Sequence, residues 1–183
     1  MAKIVAAMNM TIDGFCDHTS MIADDEIHQH YTELLRESGA VIYGRKTYQL
    51  MEYWRPFVAD PTGNPATDDF AVVMDNIPKI VFSRTLKELD WPTARLATRE
   101  LEVEVLELRQ QEGKPALVGS PGLIAELTRL RQIDEYQLSV QPTVIGNGLQ
   151  LFRDIKDRVD LKLSKTKTFD CGAVTLYYEP TKR

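Results

Sequence analysis

Cysteine is nearly absent from this chain. Cys16 and Cys171 are the only two in 183 residues, far apart and at no metal-ligating spacing. A disulfide-rich scaffold or a zinc-knuckle site has no basis here. One long-range disulfide is the alternative to the expectation of two reduced thiols. Long apolar runs are also missing. The longest near the start, Ile4 to Met8, spans five residues and stops at Asn9. A secretory signal needs ~7–15 apolar residues and a membrane span ~20, so a cytoplasmic protein with no membrane partner is expected. Excess positive charge is lacking too: 22 Lys plus Arg against 27 Asp plus Glu leave a formal net charge of −5. Nucleic acid is therefore not an expected partner, because phosphate backbones bind basic surfaces. Gly-x-Gly-x-x-Gly, the phosphate loop ending in Gly-Lys-Ser/Thr, and Gly-x-Ser-x-Gly do not occur, which disfavours the commonest nucleotide folds and serine-hydrolase chemistry. His28 and His30 flank Gln29, but helix positions two apart face different sides and do not share a metal.

What is present is an ordinary globular composition, 43% hydrophobic and 27% charged, at a length that suits one domain over residues 1–183. Short apolar runs alternate with helical periodicity, the pattern of an α/β sheet. Ile4 to Met8, Ala40 to Tyr43, Ile80 to Phe82 and Ala116 to Val118 read as buried strands. Ile27, Tyr31, Leu34 and Leu35 mark one face of a helix starting near Asp24, with Asp24, Asp25 and Glu26 at its positive end. Further helices are expected over Arg45 to Tyr53, around Leu101, Val105 and Leu108, and along Leu123, Ile124, Leu127 and Leu130. Pro56, Pro61, Gly63 and Pro65 suggest a long loop. Near the end, Tyr136/Leu138/Val140, Val159/Leu161/Leu163 and Val174/Leu176/Tyr178 alternate with polar residues, which predicts antiparallel strands. The expectation is a mixed central sheet, mostly parallel with an antiparallel C-terminal part.

Three predicted strand ends carry unusual chemistry. Gly44-Arg45-Lys46-Thr47 puts two cations in a first helical turn, where they oppose the macrodipole at ~0.3–1 kcal/mol each; a bound phosphate would reverse the sign. Its plain alternative is a Gly turn with basic side chains in solvent. Ser83-Arg84-Thr85 offers two hydroxyls and a guanidinium suited to phosphate, or simply a turn. Gly119-Ser120-Pro121-Gly122 lets a backbone approach a pyrophosphate, though Ser at N-cap and Pro at N1 also just start a helix. Each lies at the carboxyl end of a predicted parallel strand, where open α/β sheets bind ligands. A dinucleotide has phosphates enough for several such sites. Asp13-Gly14 and Gly146-Asn147-Gly148 read as tight turns.

In this order, Thr11-Ile12-Asp13-Gly14-Phe15, Gly44-Arg45-Lys46-Thr47-Tyr48, Val81-Phe82-Ser83-Arg84-Thr85-Leu86, Gly119-Ser120, Ile133-Asp134-Glu135 and Pro142-Thr143-Val144-Ile145-Gly146-Asn147-Gly148-Leu149 span nearly the whole chain. Together they resemble the dihydrofolate reductase-like superfamily, and within it the reductase domain of the riboflavin-biosynthesis deaminase/reductase and its stand-alone relatives. The resemblance implies a three-layer α/β sandwich and an NADP-dependent oxidoreductase. NADPH would deliver hydride to a small pyrimidine-like or pteridine-like substrate, as in 5-amino-6-(5-phosphoribosylamino)uracil reduction. By the same resemblance, Gly44, Arg45, Lys46 and Thr47 would hold cofactor phosphates and ribose. Ser83 and Arg84 would take the 2′-phosphate end, and Gly119, Ser120, Pro121 and Gly122 the pyrophosphate. Asn9 and Asp13 would lie beside nicotinamide and substrate, with Asp13 or water supplying the proton. Relatives form homodimers, which is the assembly expected here.

The chain departs from the pattern in three ways. Gly119-Ser120 replaces a glycine pair, the zinc-binding deaminase half is missing, and no acidic helix residue matches the one that orients pterin in dihydrofolate reductase. An alternative function is a non-catalytic NADP(H)-binding sensor or structural homodimer.

Overall fold

A computed structural model describes residues 1–22 and 24–181. Among the described residues eight strands and six α-helices follow one another as β1 (Ile4–Thr11), α1 (Asp25–Arg36), β2 (Ala40–Gly44), α2 (Arg45–Met51), α3 (Pro56–Ala59), α4 (Pro65–Asn76), β3 (Lys79–Phe82), β4 (Ala94–Leu96), α5 (Leu101–Gln110), β5 (Ala116–Val118), α6 (Pro121–Arg129), β6 (Glu135–Gln141), β7 (Leu161–Thr168) and β8 (Val174–Pro180). The chain divides into two compact units, Met1–Ala2 with Ala23–Leu117, and Lys3–Ile22 with Val118–Arg183. The strand order is β4-β3-β2 in the first and β1-β6-β8-β7 in the second.

In the first unit, β2, β3 and β4 run parallel, with Gly44 opposite Phe82 and Val81 opposite Leu96. Ala40 to Tyr43 are all buried, as expected of a parallel strand covered on both faces. Asp24 caps α1 by accepting the Ile27 N–H at 2.8 Å, and Ile27, Leu34 and Leu35 are buried on the helix. The expected loop from Pro56 to Pro65 instead contains α3 and the start of α4. Both prolines sit in the first turn, where no intrahelical N–H is needed. Asn64 completes the second start, accepting from Ala66 and Thr67 N–H at 2.9 and 3.1 Å. The three-residue β4 carries no apolar run of its own and was not foreseen.

A buried cation stiffens this unit. Lys79 is 1% exposed. Its Nζ donates to Ile77 O at 2.9 Å, Thr93 Oγ1 at 2.8 Å and Asp75 O at 3.3 Å, and lies 4.0 Å from the Trp91 ring centre. Trp91 in turn donates to Asp75 Oδ1 at 2.7 Å. A buried ammonium costs several kcal/mol unless hydrogen-bonded, so these acceptors are what permit it.

In the second unit, β1 pairs with β6 in parallel, while β6 pairs with β8, and β8 with β7, in antiparallel fashion. The antiparallel finish is as read from the alternation. The buried face of β8, however, is Thr175 and Tyr177, and Val174, Leu176 and Tyr178 are partly exposed. Likewise Ser139 and Gln141 are buried on β6 while Val140 is partly exposed. Period two holds on β8, but β6 is covered on both faces, since Tyr136 and Leu138 are buried as well. Ser139 Oγ and Thr175 Oγ1 lie 2.7 Å apart. β7 begins at Leu161, two residues after Val159, and its register shifts between Leu163 and Lys165.

Burial lowers the Lys79 pKa from 10.5 to about 8. The unfolded chain therefore binds the extra proton between those values, and Lys79 contributes increasing stability as pH rises from about 8 toward 10.5. In urea titrations, the unfolding free energy of the wild type minus that of Lys79→Met is expected to grow across this window. A constant difference would refute the depressed pKa.

Candidate functional site

In the first unit, the ends of β2 and β3 lie side by side because Gly44 stands opposite Phe82. Arg45 and Lys46 leave the first end and Ser83 and Arg84 the second. The Ser83 hydroxyl accepts the N–H groups of Thr85 and Leu86 at 3.2 and 2.9 Å, a turn that leaves Arg84 exposed. Gly44 occupies the N-cap of α2 and offers no capping side chain. Arg45 reaches only the neutral Gln49 amide, at 3.4 Å.

Six other arginines pair with acids: Arg55 with Asp90 at 2.9 Å, Arg95 with Glu104 at 2.7 Å, Arg158 with Asp160 at 2.6 Å, and Arg36, Arg99 and Arg129 with Asp69, Glu107 and Glu126. Among the described residues Arg45, Lys46 and Arg84 have no carboxylate partner. A groove of about 640 Å³ between Tyr48, Gln49 and Glu52 and the segment Leu86 to Asp90 lies in the same unit. Its Glu52, Glu88 and Asp90 repel phosphate, which leaves the two turns as the anion-favouring surface.

In the second unit, Ser120 is the N-cap of α6 and Pro121 its first residue. Ser120 makes no side-chain capping bond. Every peptide bond among the described residues is trans, including Gly119-Ser120. A side chain at Gly122 would meet the Arg153 guanidinium, 3.8 Å from the position of its Cβ. A cation beside a helix N-terminus opposes the macrodipole unless an anion joins them. Arg153 was missed in the sequence because it sits in an irregular segment with no motif, and only the fold brings it to Gly122.

Asp13 lies in the turn after β1, where Gly14 adopts φ +84°. Its Oδ1 accepts from the Thr11 hydroxyl at 2.6 Å, and its Oδ2 accepts the Gly146 and Ile145 N–H groups at 2.7 and 3.2 Å. The Thr11 hydroxyl foremost, with the two amides, holds the carboxyl below its ordinary 3.8. Adjacent bonds extend the stitching: Ile12 N–H to Thr143 O at 2.9 Å, Cys16 N–H to Leu149 O at 2.8 Å and Leu151 N–H to Gly14 O at 3.1 Å. Both predicted turns thus form one braced unit, with Gly146 at φ +76° and Gly148 at φ +136°. Asn9, two residues before Thr11 on β1, accepts from Gln141 Nε2 at 3.0 Å.

His28 packs against Trp54 and Phe70 at 5.4 and 5.8 Å between ring centres, and His30 against Tyr31 at 5.3 Å. No metal-binding group of three or more His, Cys, Asp or Glu occurs among the described residues. Both cysteines are free, and burial pushes the Cys16 thiol up to about 12, too high for a nucleophile at neutral pH. No helix among the described residues is long and apolar enough to cross a membrane.

The Asp13 brace has a direct readout. Asp13→Ala is expected to speed amide hydrogen exchange at Ile145 and Gly146 by about tenfold, since local opening governs exchange. The amides of β2 and β3 should be unaffected. Because the folded pKa is lowered, the brace acts above pH 3.8 and fades as pH falls through the lower folded value. Unchanged exchange at both amides would show that the carboxylate braces nothing.

The chain matches the RibD C-terminal domain family over residues 2–175. It is 32% identical over 182 residues to the uncharacterized protein YyaP of Bacillus subtilis, covering 96% of this chain and 94% of that one. Its fold is similar to the crystal structure of a putative riboflavin biosynthesis protein from Shewanella sp. PV-4, with a TM-score of 0.75 at 15% identity and the whole of both chains covered. It is also similar to dihydrofolate reductase from Enterococcus faecalis, solved as a complex with NADP(H), with a TM-score of 0.65 at 12% identity, over 98% of this chain and 97% of that one. Matched along nearly its whole length and built on the dihydrofolate reductase-like α/β fold, this chain belongs to the RibD C-terminal domain family.

Proposed function

We propose that this chain is an NADPH-dependent reductase acting on a small heterocycle of the pyrimidine or pteridine type, with 5-amino-6-(5-phosphoribosylamino)uracil as the reference substrate. The observation that carries this reading is the set of cations without carboxylate partners at two adjacent parallel strand ends, Arg45, Lys46 and Arg84, on a chain whose net charge is −5. Six other arginines are neutralised locally by carboxylates, whereas these three, gathered at adjacent strand ends, fit a bound polyanion. Family membership supports reductase chemistry, and the Enterococcus faecalis relative in fold was solved with NADP(H).

In this reading Gly44 to Thr47 hold phosphate and ribose. Ser83 and Arg84 take the 2′-phosphate, with the guanidinium suited to bidentate contact. Gly119, Ser120, Pro121 and Gly122 cradle the pyrophosphate, and Arg153 adds charge beside them. The cofactor supplies the hydride, which goes to an electron-poor C=N or C=O carbon, and the protein supplies position and electrostatics. Asn9 lies beside the substrate. Asp13 stays ionised and is engaged by three donors, so it positions the turn and the proton comes from water. The assembly proposed is a cytoplasmic homodimer of a single 1–183 domain.

The test is oxidation of NADPH over a panel of uracil-type and pteridine substrates, followed by absorbance, with Arg84→Ala alongside. Turnover with NADPH is expected. Arg84→Ala should weaken NADPH binding about tenfold or more while NADH is nearly unaffected, the loss of one charged hydrogen-bonding pair. Equal loss for both cofactors removes the 2′-phosphate role. Binding without turnover across the panel points to a sensor, and absence of any NADP(H) binding overturns the reading.

A further inference from the structure

Asn9 and Thr11 on β1 and Ser139 and Gln141 on β6 share one face of the sheet, by alternation and by the pairing of Asn9 with Ser139 and Thr11 with Gln141. Gln141 is 0% exposed, yet both ends of its amide are used. Its Oε1 accepts the Ile22 N–H at 3.3 Å, and its Nε2 donates to Asn9 Oδ1 at 3.0 Å.

The direction of this relay is fixed at its origin. A backbone N–H can only donate, so the Gln141 atom facing Ile22 must be oxygen. The atom facing Asn9 is then the amide nitrogen, which can only donate, so Asn9 must turn its oxygen inward. Amide oxygens and nitrogens are assigned from their partners, and here every partner follows from one unambiguous donor. Asn9 Nδ2 is left as the outward group, with no acceptor among the described residues. Asn9 itself is partly exposed, at the carboxyl-terminal end of β1.

We infer that Gln141 is a positioning residue that sets the polarity of Asn9, so that the substrate site presents an N–H donor and selects a heterocycle offering a ring carbonyl oxygen over one offering an amino group. This rests on the reductase reading only in placing substrate beside Asn9. Discrimination comes from mismatch. A ligand amino group turned toward Asn9 Nδ2 opposes donor to donor and leaves both without a partner, the costly case for polar groups withdrawn from water. Gln141→Glu reverses the relay: one carboxylate oxygen keeps the Ile22 N–H, the other accepts from Asn9 Nδ2, and Asn9 Oδ1 swings outward.

The probes are 5,6-diaminouracil, which presents carbonyl oxygens, and 2,4,5,6-tetraaminopyrimidine, which presents amino groups in their place. Each is titrated calorimetrically into the whole protein, with and without NADP⁺. The wild type is expected to prefer diaminouracil by about tenfold, the worth of one matched hydrogen bond against a mismatched one. Gln141→Glu should erase or invert that preference, which mere loosening of the fold would not do. Asn9→Asp, at a partly exposed position, removes the donor directly and should do the same if Gln141→Glu does not fold. Equal binding of the two probes by the wild type, binding of neither, or a wild-type preference retained in Asn9→Asp overturns the inference. NADP⁺ is titrated separately: if it fails to bind while the probe preference and its reversal persist, the reductase reading falls and the relay stands.

Discussion

The constraint on which the second unit turns is the convergence of donors on the Asp13 carboxylate from both ends of a long excursion of the chain. The Thr11 hydroxyl is two residues away, whereas the Ile145 and Gly146 amides are more than 130 residues away in sequence. Parallel pairing of β1 with β6 brings both strand ends to the same level, and the carboxylate then joins the turns that follow them. The positions of Asn9 and Gln141 depend on this registration, because their hydrogen bond spans the same pair of strands. Gly14 and Gly146 serve the same constraint: each accepts positive φ where a side chain would be strained.

Charge is distributed in a way that net charge conceals. Surface ion pairs contribute little stability, ~0–1 kcal/mol each, yet they neutralise their arginines locally. Against that background the cations at the ends of β2 and β3 stand out. Lys79 shows the opposite solution, a buried cation satisfied by carbonyl and hydroxyl oxygens and by the face of Trp91. It is structural because every donor it has is spoken for, whereas Arg45, Lys46 and Arg84 have no carboxylate partner among the described residues.

The strand ends were legible in the sequence because local chemistry marks them: a buried apolar run, then Gly or Ser, then a cation or a helix start. The cap at Asp24 was equally plain. Pro56 and Pro65 were misread since proline both breaks helices and begins them; the Asn64 cap marks the beginning at Pro65, while the helix at Pro56 has no capping side chain to announce it. The inner face of β8 was misassigned because Val174 and Leu176 are the more apolar set, while the Ser139–Thr175 bond makes the polar set inward-facing. Arg153 and Gln141 were invisible as site residues. Each acquires its meaning from a partner remote in sequence, and single-chain periodicity carries no information about such pairs.

β7 is the outer strand of the antiparallel part, eight residues long and mostly exposed. Lys162, Lys165 and Lys167 lie along it, with the Lys165 ammonium 4.2 Å from the centre of the Tyr177 ring and that of Lys167 5.1 Å from Phe169. A free strand of this length is a template on which another chain can add by main-chain pairing. The ammonium groups and the register shift at Leu163/Lys165 interrupt that template. The aromatic rings meanwhile keep the lysine stems against the sheet and cover its apolar surface. The consequence is colloidal: β7 carries the charged side chains and the irregular register that disfavour edge-to-edge pairing between copies of a chain.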